Sequence, residues 1–159
     1  MNTGRRTILQ RSGGLAVMGL AVSAGLFRAG SAWAQGSWNK AAFETKSVAD
    51  TVKALGGASA ATESKDIVIT SPDIAENGAV VPFTITSKIP KTESIALLVE
   101  KNPNTLAATF NIPEGTEPGV QTRVKMGQTS SVYAVAITAD NKVLFAQKEV
   151  KVTLGGCGG

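Results

Sequence analysis

One cysteine, Cys157, lies in the pentapeptide Gly155-Gly156-Cys157-Gly158-Gly159. A thiol can serve as a nucleophile, a metal ligand, half of a disulfide or a covalent attachment point. Its neighbours decide among these roles. Glycine has no Cβ and visits backbone conformations closed to other residues, so the four glycines predict a pliable, sterically thin arm. Structural cysteines are small buried hydrophobes, and a position two residues from the carboxylate predicts the opposite of burial. Lys151, the nearest cation in sequence, lies six residues back. A carboxylate two residues on disfavours thiolate. An ordinary thiol has a pKa of about 8.5, so a few per cent is ionised at neutral pH. Activation is therefore expected from the pocket of a partner, with Cys157 as the attachment point. Three extended residues beyond Leu154 reach roughly 10 Å, enough to enter a narrow pocket.

Other uses of the tail are open at this stage. Cys157 could form an intermolecular disulfide that dimerises an exported adaptor, or it could be incidental. A terminal Gly-Gly could also mark a carrier activated on its carboxylate.

The rest of the inventory narrows the chemistry. The chain has no histidine, which removes the commonest general base and the usual zinc, copper and haem ligand. Ser-His-Asp and Cys-His constellations are excluded. No Gly-x-Gly-x-x-Gly or Walker-type phosphate loop occurs. No catalytic residue, metal ligand or cofactor is assigned. Asp73/Glu76 and Glu114/Glu117 are spaced like acid-base or metal pairs, but they fall in turn-rich segments and read as solvated loop carboxylates.

The elements that carry the tail begin after a leader. Arg5-Arg6-Thr7-Ile8-Leu9-Gln10 resembles a twin-arginine export pattern. An apolar run from Leu15 to Phe27 follows, too short for a comfortable membrane span. Ala32-Trp33-Ala34 fits the small-x-small cleavage rule. Residues 1–34 therefore read as a cleaved signal, with an uncleaved anchor as the alternative. The signal contains Arg5, Arg6, Arg11 and Arg28 and no acid. The formal charge of +4 thus becomes about zero in the 125 residues that follow, which keep 12 of the 16 basic residues against 12 acids. Nucleic-acid binding loses its electrostatic footing. The expected location is periplasmic, an oxidising compartment where a single cysteine forms no internal disulfide.

Residues 35–57 predict a helix. Ser37 or Asn39 can cap it. Val48, Val52 and Leu55 fall at i, i+4 and i+7, and Ala41 and Ala49 add small apolar contacts. Gly56-Gly57 ends it, and Trp38 and Phe43 can pin it to the body. Residues 58–154 switch to period two. Strands are predicted over 66–70, 80–87, 94–101, 105–112, 122–126, 131–139 and 142–153, separated by Pro, Gly, Asn and Asp turns. Asp140-Asn141 predicts a tight hairpin. Pro82 predicts an edge strand or a bulge. The fold class is mainly β: an immunoglobulin-like antiparallel sandwich of about seven strands with an N-terminal helix. Residues 155–159 form the arm.

Two strands are apolar on both faces. Ile95, Leu97 and Val99 oppose Ala96 and Leu98, and Tyr133, Val135 and Ile137 oppose Val132, Ala134 and Ala136. A sandwich strand needs one apolar face. The second face is covered either by the N-terminal helix or by a partner subunit.

The tail Lys148–Gly159, with its Gly-Gly-Cys-Gly-Gly ending, resembles that of the SoxY family, sulfur carriers of periplasmic thiosulfate oxidation. The segments 72–82, 95–103 and 123–130 and the twin-arginine leader agree with it. The resemblance implies a heterodimer with SoxZ, a second sandwich subunit exported along with it. It implies that the haem enzyme SoxXA conjugates thiosulfate to Cys157. The dimanganese hydrolase SoxB then releases sulfate, and a sulfur dehydrogenase, where present, oxidises the persulfide left behind. Cys157 would be the attachment residue, with Gly155, Gly156, Gly158 and Gly159 as the swinging arm. The chain would be no enzyme but a substrate for its partners.

Overall fold

The computed structural model describes residues 39–56 and 61–153, which fall within one compact unit. The predicted boundaries at 34 and 154 lie outside the described residues, as do Ser37, Trp38, Gly57 and the whole arm.

Two short helices open the described chain: α1, Lys40–Phe43, and α2, Val48–Ala54. The single helix predicted over 35–57 is thus corrected. Hydroxyl side chains cause the break by competing for backbone groups. Thr45 Oγ1 donates to the Ala42 carbonyl at 2.6 Å and lies 2.6 Å from Thr51 Oγ1. Ser47 then caps a new helix by accepting from the Asp50 N–H at 3.1 Å. Asn39 caps α1 by accepting from the Ala42 N–H, and its amide donates to Ala54 at the end of α2. Gly56 closes α2 with φ +93°, a left-handed conformation glycine adopts without strain.

Among the described residues nine strands follow: β1 Thr62–Glu63, β2 Ile67–Thr70, β3 Ile74–Ala75, β4 Val81–Ser87, β5 Thr92–Val99, β6 Leu106–Asn111, β7 Gly119–Val124, β8 Ser130–Thr138 and β9 Val143–Val152. All seven predicted strands are present. The other two, β1 and β3, have two residues each and pair in parallel with opposite ends of β9. The large sheet runs β1-β9-β8-β5-β6, with β3 also on β9; the small sheet runs β2-β4-β7. The β8–β9 hairpin turns at Asp140-Asn141, with Asn141 at φ +56° and its N–H donating to Thr138.

Pro82 corrects a second expectation, because β4 is the middle strand of its sheet. The backbone resolves the conflict. Ser87 donates its N–H toward the β7 side, to Pro118, and Lys88 toward the β2 side, to Asp66. By alternation, the nitrogen of Pro82 points to the β2 side. Pairing with β2 runs only from Ile67–Ser87 to Thr70–Thr84. Pro82 therefore sits at a local edge on a central strand, where no ladder bond is lost.

Two cores explain the two-faced strands. Phe83, Ile85, Ile95, Leu97, Val99, Met126, Val132, Ala134 and Val150 are buried between the sheets. On the other face of the large sheet, Ala96, Leu98, Leu106, Val135 and Val143 pack with Ala42 and Val52 of the helices. Leu98 and Ala42 are fully buried there. The helices therefore cover Ala96, Leu98 and Val135 on the second face, the first of the two alternatives. Tyr133 and Phe145 pack tilted at 50° and 6.1 Å near the margin of this layer.

Candidate functional site

Cys157, Gly155, Gly156, Gly158 and Gly159 lie outside the described residues. The structure does describe the ground from which that segment departs. β9 delivers the chain to Val152 and Thr153, and both residues are gripped. On one side the Val152 N–H donates to Thr129 Oγ1 at 2.9 Å. On the other, β3 runs parallel to the strand end, with Ile74 opposite Lys151 and Ala75 opposite Val152. Lys151 N–H donates to the Asp73 carbonyl at 2.9 Å, and Thr153 N–H to the Ala75 carbonyl at 3.1 Å.

The segment following β3 turns at Glu76–Ala79. Asn77 Oδ1 accepts from the Ala79 N–H at 2.9 Å, an Asx turn built locally. Gly78 is then pressed against the strand end. A Cβ there would stand 2.4 Å from the Met126 carbonyl oxygen and 2.8 Å from Val152 Cγ1. Met126 N–H in turn donates to the Gly78 carbonyl at 2.7 Å. Only glycine fits this approach. The Met126 segment is itself braced, since Asn102 Nδ2 donates to the Lys125 carbonyl and Gly127 N–H donates to Asn102 Oδ1. Three loops thus converge on the last residues of β9 and hold its end in place.

One charge pair ties the segment before β3 to β9. Lys148 Nζ lies 2.9 Å from Asp73 Oδ1 and donates to the Ser71 carbonyl at 2.7 Å. The Lys148 ammonium holds the Asp73 carboxyl below its ordinary value, mainly by hydrogen bonding. Asp73, read from the sequence as a solvated loop carboxylate, is exposed and pairs with Lys148. Among the described residues no group of three or more His, Cys, Asp or Glu side chains could hold a metal ion. No described helix is long and apolar enough to cross a membrane.

Sequence reasoning locates the thiol and misses its base. Gly78 reads in the sequence as a turn glycine beside Asn77. Its real constraint comes from Met126 and Val152, which are 48 and 74 residues away in the chain. The grip of Thr129 and Ala75 on β9 likewise has no local signature.

A model of the family described as sulfur oxidation protein SoxY matches residues 52–157. The sulfur carrier protein SoxY from Chlorobium limicola f thiosulfatophilum is similar in structure at 34% identity. That match covers 67% of this chain and 96% of the other, with a TM-score of 0.59. A superoxide reductase (neelaredoxin) from Ignicoccus hospitalis is similar at 19% identity over 55% of this chain and 80% of the other, with a TM-score of 0.48. A superoxide reductase from Nanoarchaeum equitans is similar at 16% identity over 58% of this chain and 100% of the other, with a TM-score of 0.47. No curated protein matches the chain.

Proposed function

Since the chain belongs to the SoxY family of sulfur oxidation proteins, we propose that it carries sulfur intermediates of thiosulfate oxidation covalently on Cys157. The observation that carries this reading is the single cysteine flanked by glycine pairs, five residues beyond a strand end gripped on both sides. A fixed base and a thin arm let one thiol be aimed into several pockets without unfolding the domain.

The chemistry requires little of the chain itself. In the loading step the Cys157 thiol and thiosulfate join through a new S–S bond to give a thiosulfonate. The thiol proton is released, and two electrons pass to a haem enzyme, SoxXA. In the second step water attacks the terminal sulfone sulfur at SoxB. The bond between that sulfur and the sulfane sulfur breaks, sulfate and two protons leave, and the persulfide stays on Cys157 as its anion. A free persulfide is oxidised or lost by diffusion, whereas a tethered one stays at high effective concentration near successive enzymes. Haem and manganese belong to the partners, and this chain acts as substrate rather than catalyst. SoxZ is the proposed second subunit. The twin-arginine leader is the proposed route to the periplasm, where the domain arrives already folded.

The test is intact mass spectrometry of protein purified without reductant from cells oxidising thiosulfate. The expected result is a Cys157 adduct heavier by one sulfur atom or by a thiosulfonate group, absent from Cys157→Ser. Cys157→Ser should also abolish thiosulfate-dependent respiration. A disulfide dimer as the sole modified species, or wild-type respiration in the serine variant, would refute the carrier reading and favour an exported adaptor.

A further inference from the structure

The large hydrophobic side chains exposed among the described residues are Val68, Ile74 and Val80. Scattered exposed apolar residues are ordinary, so position decides what they mean. Val68 stands on the outer face of the small sheet, opposite Thr86 in register. Ile74 and Val80, 56% and 51% exposed, instead flank the turn whose Gly78 presses on Val152. Ile74 is opposite Lys151 in the β3–β9 pairing, three residues before the segment leading to Cys157 begins. Val80 directly precedes Val81, which pairs with Val124, one residue from the braced Lys125. Both apolar side chains therefore stand at the root of the arm, on backbone that is fixed from several sides.

Reach gives that location its meaning. Four residues lead from Thr153 to Cys157, so the extended chain between them spans roughly 14 Å at most. An enzyme can act on the sulfur only if its reacting centre lies within that distance of Thr153. For a centre at the bottom of a pocket of comparable depth, the rim of the pocket must touch the surface around Thr153. The short arm thus forces the domain into contact with its enzyme at the place where Ile74 and Val80 are exposed.

We infer that Ile74 and Val80 form an apolar collar around the root of the arm, and that it seats against an apolar rim on the enzyme that loads Cys157. The inference rests on the proposed role of Cys157. The collar supplies binding that is independent of the sulfur species carried, and the arm supplies the chemistry. Loss of the collar therefore raises the carrier concentration the enzyme needs and leaves turnover of the bound complex alone.

The test is the initial rate of thiosulfate loading by the haem enzyme as a function of carrier concentration. It compares the wild-type carrier with Ile74→Ser/Val80→Ser, Val80→Thr and, as a control, Val68→Ser. The double variant is expected to raise KM about tenfold with kcat within about twofold of wild type. Val80→Thr, nearly isosteric and safe for the fold, should raise KM about threefold. Val68→Ser should leave both constants unchanged, and alkylation of Cys157 by iodoacetamide should proceed at one rate in all four proteins. An unchanged KM in both collar variants overturns the inference. So does a fall in kcat at constant KM, an equal effect of Val68→Ser, or a changed alkylation rate. Failure of the underlying carrier reading is visible separately, as the absence of any Cys157 adduct on the wild-type protein.

Discussion

Gly78→Ala tests whether the root of the arm is held as described. The added methyl would lie 2.4 Å from the Met126 carbonyl oxygen and 2.8 Å from Val152 Cγ1. Side-chain Cβ atoms do not approach this closely, so the two backbones must separate by at least 0.6 Å to reach 3.0 Å from the oxygen. The same two segments are joined by the Met126–Gly78 hydrogen bond of 2.7 Å, which cannot survive that separation unchanged. Overpacking costs about 1–3 kcal/mol, and weakening the bond adds about 0.5–1.5 kcal/mol. The expected loss is about 2–3 kcal/mol. For a domain of this size it lowers Tm by about 8–12 °C, read by circular dichroism on the reduced protein. Gly127→Ala is the matched control. It lies one residue beyond Met126, has open space where the added methyl would stand, and should shift stability by no more than about 0.5 kcal/mol. A Gly78→Ala protein melting within about 2 °C of wild type would refute the close approach. Equal losses in both variants would show that the segment is sensitive to any side chain, and would refute the specific contact.

Other outcomes follow from the same contacts. Asp73 is held below its ordinary value of 3.8 by Lys148, so its contribution is complete above that pH and is lost as pH falls through the lower folded value. Asp73→Asn should therefore lower Tm by a constant amount between about pH 5 and 7, and the two melting curves should converge in more acid solution; a gap that persists there would refute the pairing. Leu98→Ala should cost about 2–5 kcal/mol in urea denaturation, because Leu98 is fully buried between the large sheet and the helices. A loss under about 1 kcal/mol would mean the helices do not cover that face. Gly156→Val and Gly158→Val should slow thiosulfate turnover about tenfold or more with Tm unchanged, and normal turnover in both would show that the arm need not be slim.

The sandwich is legible in the sequence because its seven longer strands are short runs bounded by turn residues, and β4 alternates strongly. Val81, Phe83 and Ile85 fall on one face and Thr84 and Thr86 on the other, and such patterning is a property of local sequence. β1 and β3 are not legible, since two residues carry no period and these exist only because β9 offers its outer edge. The helix break has a local sign in Ser47-Val48-Ala49-Asp50, a Ser-x-x-acid capping pattern, outweighed by the longer apolar spacing of Val48, Val52 and Leu55. Pro82 does need an edge; which end of which neighbour stops short is a matter of register and cannot be seen along one strand. The thiol stands out by composition alone. Its base does not, because Thr129, Ala75 and Gly78 meet β9 only through the assembled sandwich.

The pairing of β9 with β1 and β3 also bears on the order of folding. Thr153 contacts Ala75 across 78 residues of sequence, and Lys148 reaches Ser71 across 77. Contacts of such long range pay their loop-closure entropy before any stabilisation returns, and they slow folding. A chain lacking β9 has neither the outer edge on which β1 and β3 form nor the Val152 surface against which Gly78 rests. The ground beneath Cys157 therefore exists only once β9 has docked against the segment around β3. Hydrogen exchange at the Lys151 and Thr153 amides should report completion of the whole sandwich rather than local order, so a thiol offered from this root is offered only by a finished domain.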